Sequence, residues 1–320
     1  MTRVLVAGIS PKTRYAIRQA LGHQQIEIVG ILDDGDRDLL AYGLATDSGP
    51  TPFKGSIDVG DDAVTLSGRY GRGGLRHDTI PLLTGDGTGA RAGSLADLPQ
   101  VDAVLTAEDR TVPLPASLMS DGPPVVRFAG PDGAGHDRAT TVPAAHLTAV
   151  ACLVGALRPL GEVEAVVHTT TGVSGPSPDT RRDRRLALRG SASGTSTRPS
   201  AALPGTAASL PAVGTEILGP PTEVTVTVLS LVLRAATEAV QAVRRVKSET
   251  RGALKGVLEL RDGPVATGDV LGSPAAVVDA SSVVVNGRSI SLTLHTHTRS
   301  FEAARACALL SNPSSTPVWV

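Results

Sequence analysis

The chain has 320 residues and a mass of 32.6 kDa, with 30 Lys and Arg against 31 Asp and Glu, a formal net charge of −1. That balance excludes a whole-molecule electrostatic drive toward nucleic acid or an anionic membrane. With three Phe, three Tyr and one Trp beside 35 Gly and 23 Pro, any core rests on Ala, Val, Leu and Ile, over a length that suggests two domains.

Residues 3–8 are an apolar run that ends in a turn and gives way to a helical pattern through Leu21. Residues 26–32 form a second apolar run, closed by Asp33 and Asp34. Strand, helix, strand and acidic residue outline a βαβ nucleotide-binding unit. Residues 56–70 alternate as a hairpin with Asp61-Asp62 at its turn, and residues 101–105 and 125–128 are further short strands. Residues 144–157 predict a helix of small apolar side chains, stopped before Pro159-Leu160-Gly161, and residues 163–170 predict a strand. The longest low-complexity stretch, residues 172–211, is rich in Ser, Gly, Pro and Arg and predicts a functional or mobile loop. Beyond it, Val224, Val226 and Val228 alternate with Thr225, Thr227 and Leu229 as a strand, residues 238–246 are helical, and residues 283–297 alternate as one or two strands. Residues 300–310 predict a closing helix, followed by a tail over 311–320.

No apolar run reaches the roughly 18 residues of a membrane span, and the opening MTRVLVAGIS lacks a secretory-signal pattern. Cys152 and Cys307 make no disulfide framework. A cytoplasmic location is therefore expected.

Several landmarks then carry a resemblance. Tyr42, Asp47-Ser48 and Pro52-Phe53-Lys54-Gly55 come first; Gly175-Pro176-Ser177 with Arg182-Asp183, and Ser196-Thr197, come next; Leu254-Lys255-Gly256-Val257-Leu258, Pro264-Val265 and Gly268-Asp269 close the series. In this order the chain resembles phosphorylating glyceraldehyde-3-phosphate dehydrogenase, from Thr2 to about Leu310. The resemblance implies an α/β fold with a Rossmann-type NAD-binding domain over 1–145 and an α+β catalytic-type domain over 146–299. That second domain includes an S-shaped loop at 172–211, and helix 300–310 returns to the first domain.

The family's chemistry uses a Cys thiolate, a His that activates it, an Arg that holds phosphate, and NAD. Aligned on the family's helix, the nucleophile position is Thr148, and Cys152 falls on the second, non-catalytic cysteine. A hydroxyl needs an adjacent base to act as a nucleophile, and a threonine cannot form the thiohemiacetal from which hydride leaves. The base falls on Thr171; placing a gap inside the strand puts His168 there instead. The phosphate-binding Arg corresponds to Leu218, ahead of Gly219-Pro220-Pro221-Thr222-Glu223. The dinucleotide fingerprint reads Gly8-Ile9-Ser10-Pro11-Lys12-Thr13, which keeps only its first glycine, and Pro11 lacks an N–H at the anion-binding helix start. Asp33 remains for a ribose hydroxyl, and His297 takes the place of the Asn that orients nicotinamide. The resemblance thus implies weakened or lost NAD binding through Gly8, Asp33 and His297, and no catalytic residue.

Other features stand outside that comparison. His295 and His297 share a face of one strand and, with His146 and His168, are candidates for a new polar site, although no acidic or Cys partner has a recognisable metal-ligand spacing with them. No metal is therefore expected. Arg181, Arg182, Arg184, Arg185 and Arg189 crowd the S-shaped loop with Asp179 and Asp183 as counter-charges, which suits a subunit or protein interface; without aromatics to stack on bases, nucleic acid is not expected there. The tail holds Trp319 and predicts docking on the fold or on a partner subunit. Together these features predict a pseudoenzyme: a homo-oligomer, dimer or tetramer, acting as scaffold or activator of another protein. The alternative is a repurposed NAD(P)-dependent oxidoreductase or ligand-binding protein.

Overall fold

The apolar runs of the first third become neighbouring strands because a strand covered on both faces reads as continuous Val, Ile and Leu rather than as alternation. A computed structural model describes residues 1–33, 37–46, 55–60, 62–69, 75–83, 100–106, 122–128, 139–173, 196–199, 203–204, 207–218 and 223–312. The chain is mixed α/β with two mixed sheets and divides into two compact units. One spans Met1–Pro143 and takes in the C-terminal helix from Glu302; the other runs Ala144–Phe301.

The first unit holds β1 (Thr2–Ala7), α1 (Pro11–Leu21), β2 (Ile26–Leu32), α2 (Arg37–Thr46), β3 (Gly55–Val59), β4 (Ala63–Arg69), β5 (Leu75–Leu83), β6 (Ala103–Thr106), β7 (Val125–Phe128) and β8 (Ala139–Val142). They build an eight-stranded sheet in the order β3-β4-β5-β2-β1-β6-β7-β8. From β5 to β8 every pair is parallel, and β3, β4 and the first part of β5 pair antiparallel. Chain order reverses between β1 and β6. The sequence reading of a hairpin was incomplete here. β5 continues it as a third strand and then runs parallel to β2, pairing Ile31 with Leu82 and Leu32 with Leu83. Leu5, Ala7, Leu32, Leu83 and Val104 form a buried cluster under these strands.

The second unit holds α3 (Ala145–Leu157), β9 (Val163–Val173), β10 (Ser196–Pro199), β11 (Ala212–Leu218), β12 (Val224–Leu233), α4 (Ala239–Arg251), β13 (Leu258–Arg261), α5 (Thr267–Val270), β14 (Ala276–Asn286) and β15 (Ser289–His297). Their sheet has seven strands in the order β10-β11-β9-β12-β15-β14-β13. Residues 196–199, expected within a loop, form an edge strand antiparallel to β11. The segment expected as one or two strands is two, and the first starts earlier, at Ala276. They turn at Gly287, whose φ of 59° suits the first residue of a two-residue hairpin loop. α4 runs five residues beyond its expected end at Val246; its final turn, from Lys247 to Arg251, has no apolar residue to mark it in the sequence.

The two faces of this sheet differ. Leu229, Leu231, Leu292 and Leu294 are buried on one face, where α3 packs against β12 and β15. Val167, Val213 and Val228, at 49, 66 and 48% exposure, lie on the other. Their registers join them: Val213 pairs with Val167, and Val228 with Thr169. The last helix, α6 (Thr298–Ser311), begins where β15 ends, and its residues from Glu302 belong to the first unit.

Candidate functional site

In the first unit the loop after β1 lies where strand order reverses, the position at which open α/β sheets take their ligands. Gly8 has φ 81°, which lets the chain turn sharply from β1 into α1. The following N–H groups are engaged within the protein. Ile9 N–H donates to Asp33 Oδ2 at 2.6 Å, and Ser10 N–H donates to Thr13 Oγ1 at 2.7 Å. The Thr13 N–H reaches back to Ser10 Oγ at 3.3 Å, closing a capping box, and the Thr13 hydroxyl donates to the Gly8 carbonyl at 3.0 Å. Pro11 has no N–H to offer. Ser10 and Thr13 are wholly buried, and Asp33 is 3% exposed. Lys12 Nζ lies 2.9 Å from Glu302 Oε2 and 5.9 Å from the centre of the Phe128 ring.

The second unit brings two of the predicted histidines together. His146, the second residue of α3, donates from Nε2 to Glu216 Oε1 of β11 at 3.0 Å, both groups buried. His168, on β9, is 2% exposed, and its Nδ1 has no partner among the described residues. Burial pushes the pKa of His168 below the ordinary 6.5, nearby His146 pushes the same way, and Glu216 opposes. On the same face the Thr170 and Thr227 hydroxyls meet at 2.9 Å.

Thr148 is wholly buried, and its hydroxyl donates to the Ala144 carbonyl one turn back at 3.2 Å. Cys152 is buried one turn further along α3. Thr171 is exposed on β9, and its hydroxyl donates to the Val226 carbonyl at 3.3 Å. Leu218 ends β11, opposite Ser196 of β10.

The remaining histidines take the opposite face of the sheet. His297 pairs with Val224 and His295 with Val226 and Val277, whereas Thr227, on the other side of β12, meets the His168 face. His297 is wholly buried and caps α6. Ser300 N–H donates to its Nδ1 at 3.2 Å, which places the ring hydrogen on Nε2, donating to Glu223 Oε2 at 3.1 Å. Arg299 holds the other Glu223 oxygen at 3.3 Å. His295 is buried with Nδ1 unpartnered among the described residues; burial lowers its pKa, against the pull of Asp279.

No family model and no curated protein matches this chain. Among the described residues no group of three or more His, Cys, Asp or Glu is placed to hold a metal ion, and no helix is long and apolar enough to cross a membrane.

The structure gives two of the histidines acidic partners that sequence spacing did not show: Glu216 for His146 and Glu223 for His297. Glu216 and Glu223 were missed because each is remote in sequence from its histidine, and β11 went unread as a strand. Once residues 212–218 are known to be extended, alternation turns Glu216 inward with Gly214, toward the His168 strand. The basic S-loop with Arg181, Arg182, Arg184, Arg185 and Arg189, the landmarks at Asp47-Ser48, Pro52-Phe53-Lys54 and Gly175-Pro176-Ser177, and the tail with Trp319 lie outside the described residues.

Proposed function

We propose that the chain is a glyceraldehyde-3-phosphate dehydrogenase-like pseudoenzyme, cytoplasmic and bacterial, that keeps the framework of that family without its chemistry and serves as an oligomeric scaffold or activating partner of another protein. The observation that carries this reading is Thr148. At the position of the family's sulfur stands a buried hydroxyl already donated to a helix carbonyl, so no nucleophile faces an aldehyde there.

Further geometry supports it. The parallel strands β5-β2-β1-β6-β7-β8 follow one another as third, second, first, fourth, fifth and sixth, the order of dinucleotide-binding sheets. The loop that would cradle the diphosphate does not fit it. Ile9 and Ser10 direct their N–H groups to Asp33 and Thr13, and Pro11 has none. Asp33, expected to meet a ribose hydroxyl, accepts the Ile9 N–H, and His297, expected beside nicotinamide, accepts the Ser300 N–H at the start of α6. The exposed Val167–Val213–Val228 face suits a second copy of the chain, because an exposed apolar patch can pair with its own copy across a twofold axis. A repurposed cofactor- or ligand-binding protein is the second reading, favoured by the buried His146–Glu216–His168 group.

Two measurements separate these readings. Purified protein given glyceraldehyde 3-phosphate, phosphate and NAD is expected to form no NADH, and calorimetric titration with millimolar NAD or NADP is expected to give no heat. Turnover abolished by alkylating Cys152 overturns the pseudoenzyme. Heat on cofactor addition favours the repurposed enzyme. Light scattering reads the assembly: a dimer or larger species that Val213→Lys with Val228→Lys converts to monomer is expected, and a monomeric wild type removes the scaffold's self-association. Co-purification from the native host is expected to enrich one specific partner, and recovery of the chain alone counts against the scaffold.

A further inference from the structure

A folded core of this composition normally excludes histidine unless both ring nitrogens are satisfied, because an unpaired buried polar group costs about 1–3 kcal/mol. His168 breaks that rule. It sits on β9 at 2% exposure with Nδ1 unpartnered among the described residues. Its neighbour across the parallel pairing is Gly214, so no side chain of that register position closes around it. The titratable groups that act on it are His146 from the first turn of α3 and Glu216 from β11; from β12 the same face presents Thr227 and Leu229, which carry no charge.

Glu216 is already engaged by His146 at 3.0 Å. A proton arriving on His168 adds a buried positive charge whose desolvation, together with the repulsion of His146, outweighs the pull of Glu216, close to the positive end of α3, where a cation is disfavoured. Neutral, the ring is tolerated; charged, it needs water. The route to water is to separate the first turn of α3 from β9 and β11, the elements that carry the three groups.

We propose that His168, His146 and Glu216 form a proton-operated latch that fastens the first turn of α3 to strands β9 and β11 while His168 is neutral and releases it when His168 is protonated. The pseudoenzyme reading does not depend on it, and the latch holds whether or not the protein has a catalytic role. Because opening takes up one proton, the opening equilibrium rises by about tenfold for each pH unit below the titration range of a free histidine.

Hydrogen exchange of the full-length protein tests this, comparing pH 7.5 with pH 5.5 after correction for intrinsic exchange rates. Amides of residues 145–150, 163–170 and 212–217 are expected to lose at least fivefold of their protection at the lower pH, while those of β1 and β2 do not. His168→Gln keeps a polar side chain of similar reach that cannot be protonated, and it is expected to flatten that pH dependence. Equal pH dependence in His168→Gln and wild type overturns the proposal, as does a wild type whose α3 protection is unchanged. Should the variant not fold, the His168 ring resonance of the wild type decides. It is expected to stay in its neutral position until the α3 amides open, and free titration near pH 6.5 with α3 still protected overturns the latch.

Discussion

Thr13→Val removes one oxygen while preserving shape, and it tests whether the loop after β1 is tied to itself. The Thr13 hydroxyl accepts the Ser10 N–H at 2.7 Å and donates to the Gly8 carbonyl at 3.0 Å. Both Thr13 and Ser10 are wholly buried, so water cannot replace the lost partner. Leaving the Ser10 N–H unpaired costs about 1–3 kcal/mol, and losing the bond to Gly8 adds about 1 kcal/mol. A total of about 3 kcal/mol lowers the Tm of a unit of this size by roughly 6–12 °C. Differential scanning calorimetry of wild type, Thr13→Val and Thr13→Ser reads it, with Thr13→Ser expected to retain most of the stability because its hydroxyl can make both bonds. If Thr13→Val melts within about 1 °C of wild type, the Ser10 N–H is not held by Thr13, and the argument that this loop has no donors left for a diphosphate fails.

On the proposed family reading, Thr148→Cys supplies a sulfur but neither an Arg for phosphate nor the dinucleotide loop, so NADH formation from glyceraldehyde 3-phosphate is expected to stay at background; turnover above background would show that the rest of such a site is present. Cys307 is wholly screened, its thiol pushed up to about 12 by burial and aimed at the Ala16 carbonyl at 3.7 Å. A disulfide reagent at pH 8 is therefore expected to label it only after unfolding, and rapid labelling of the native protein contradicts this packing. Stability should depend on pH through His168 and His295, both held below the ordinary 6.5 by burial. The unfolded chain binds those protons first, so their full contribution is present above about pH 6.5 and is lost as pH falls toward the folded-state values, by up to about 1.4 kcal/mol per pH unit per group. Urea midpoints between pH 7.5 and 5.5 check the sign, and a midpoint that rises on acidification would refute it.

Residue order alone determined most of the regular elements. The short, largely apolar runs at residues 26–32 and 125–128 marked strands, and the Val/Thr alternation from Val224 marked β12, because side-chain period follows directly from backbone geometry. The presence of Thr148, Ser10 and Thr13 at positions where the proposed family reading calls for a sulfur and two glycines was equally legible, since the identity of a side chain does not depend on its surroundings. Three-dimensional packing decided what those residues do instead. Glu216 lies 70 positions from His146 and Glu223 lies 74 from His297, and only strand register and the path of the chain bring each pair within hydrogen-bond reach. Asp33, expected to meet a ribose hydroxyl, accepts the Ile9 N–H in this structure. A carboxylate in a dry loop is claimed by the nearest unpaired donor, and which donor is nearest is a property of the fold rather than of the sequence.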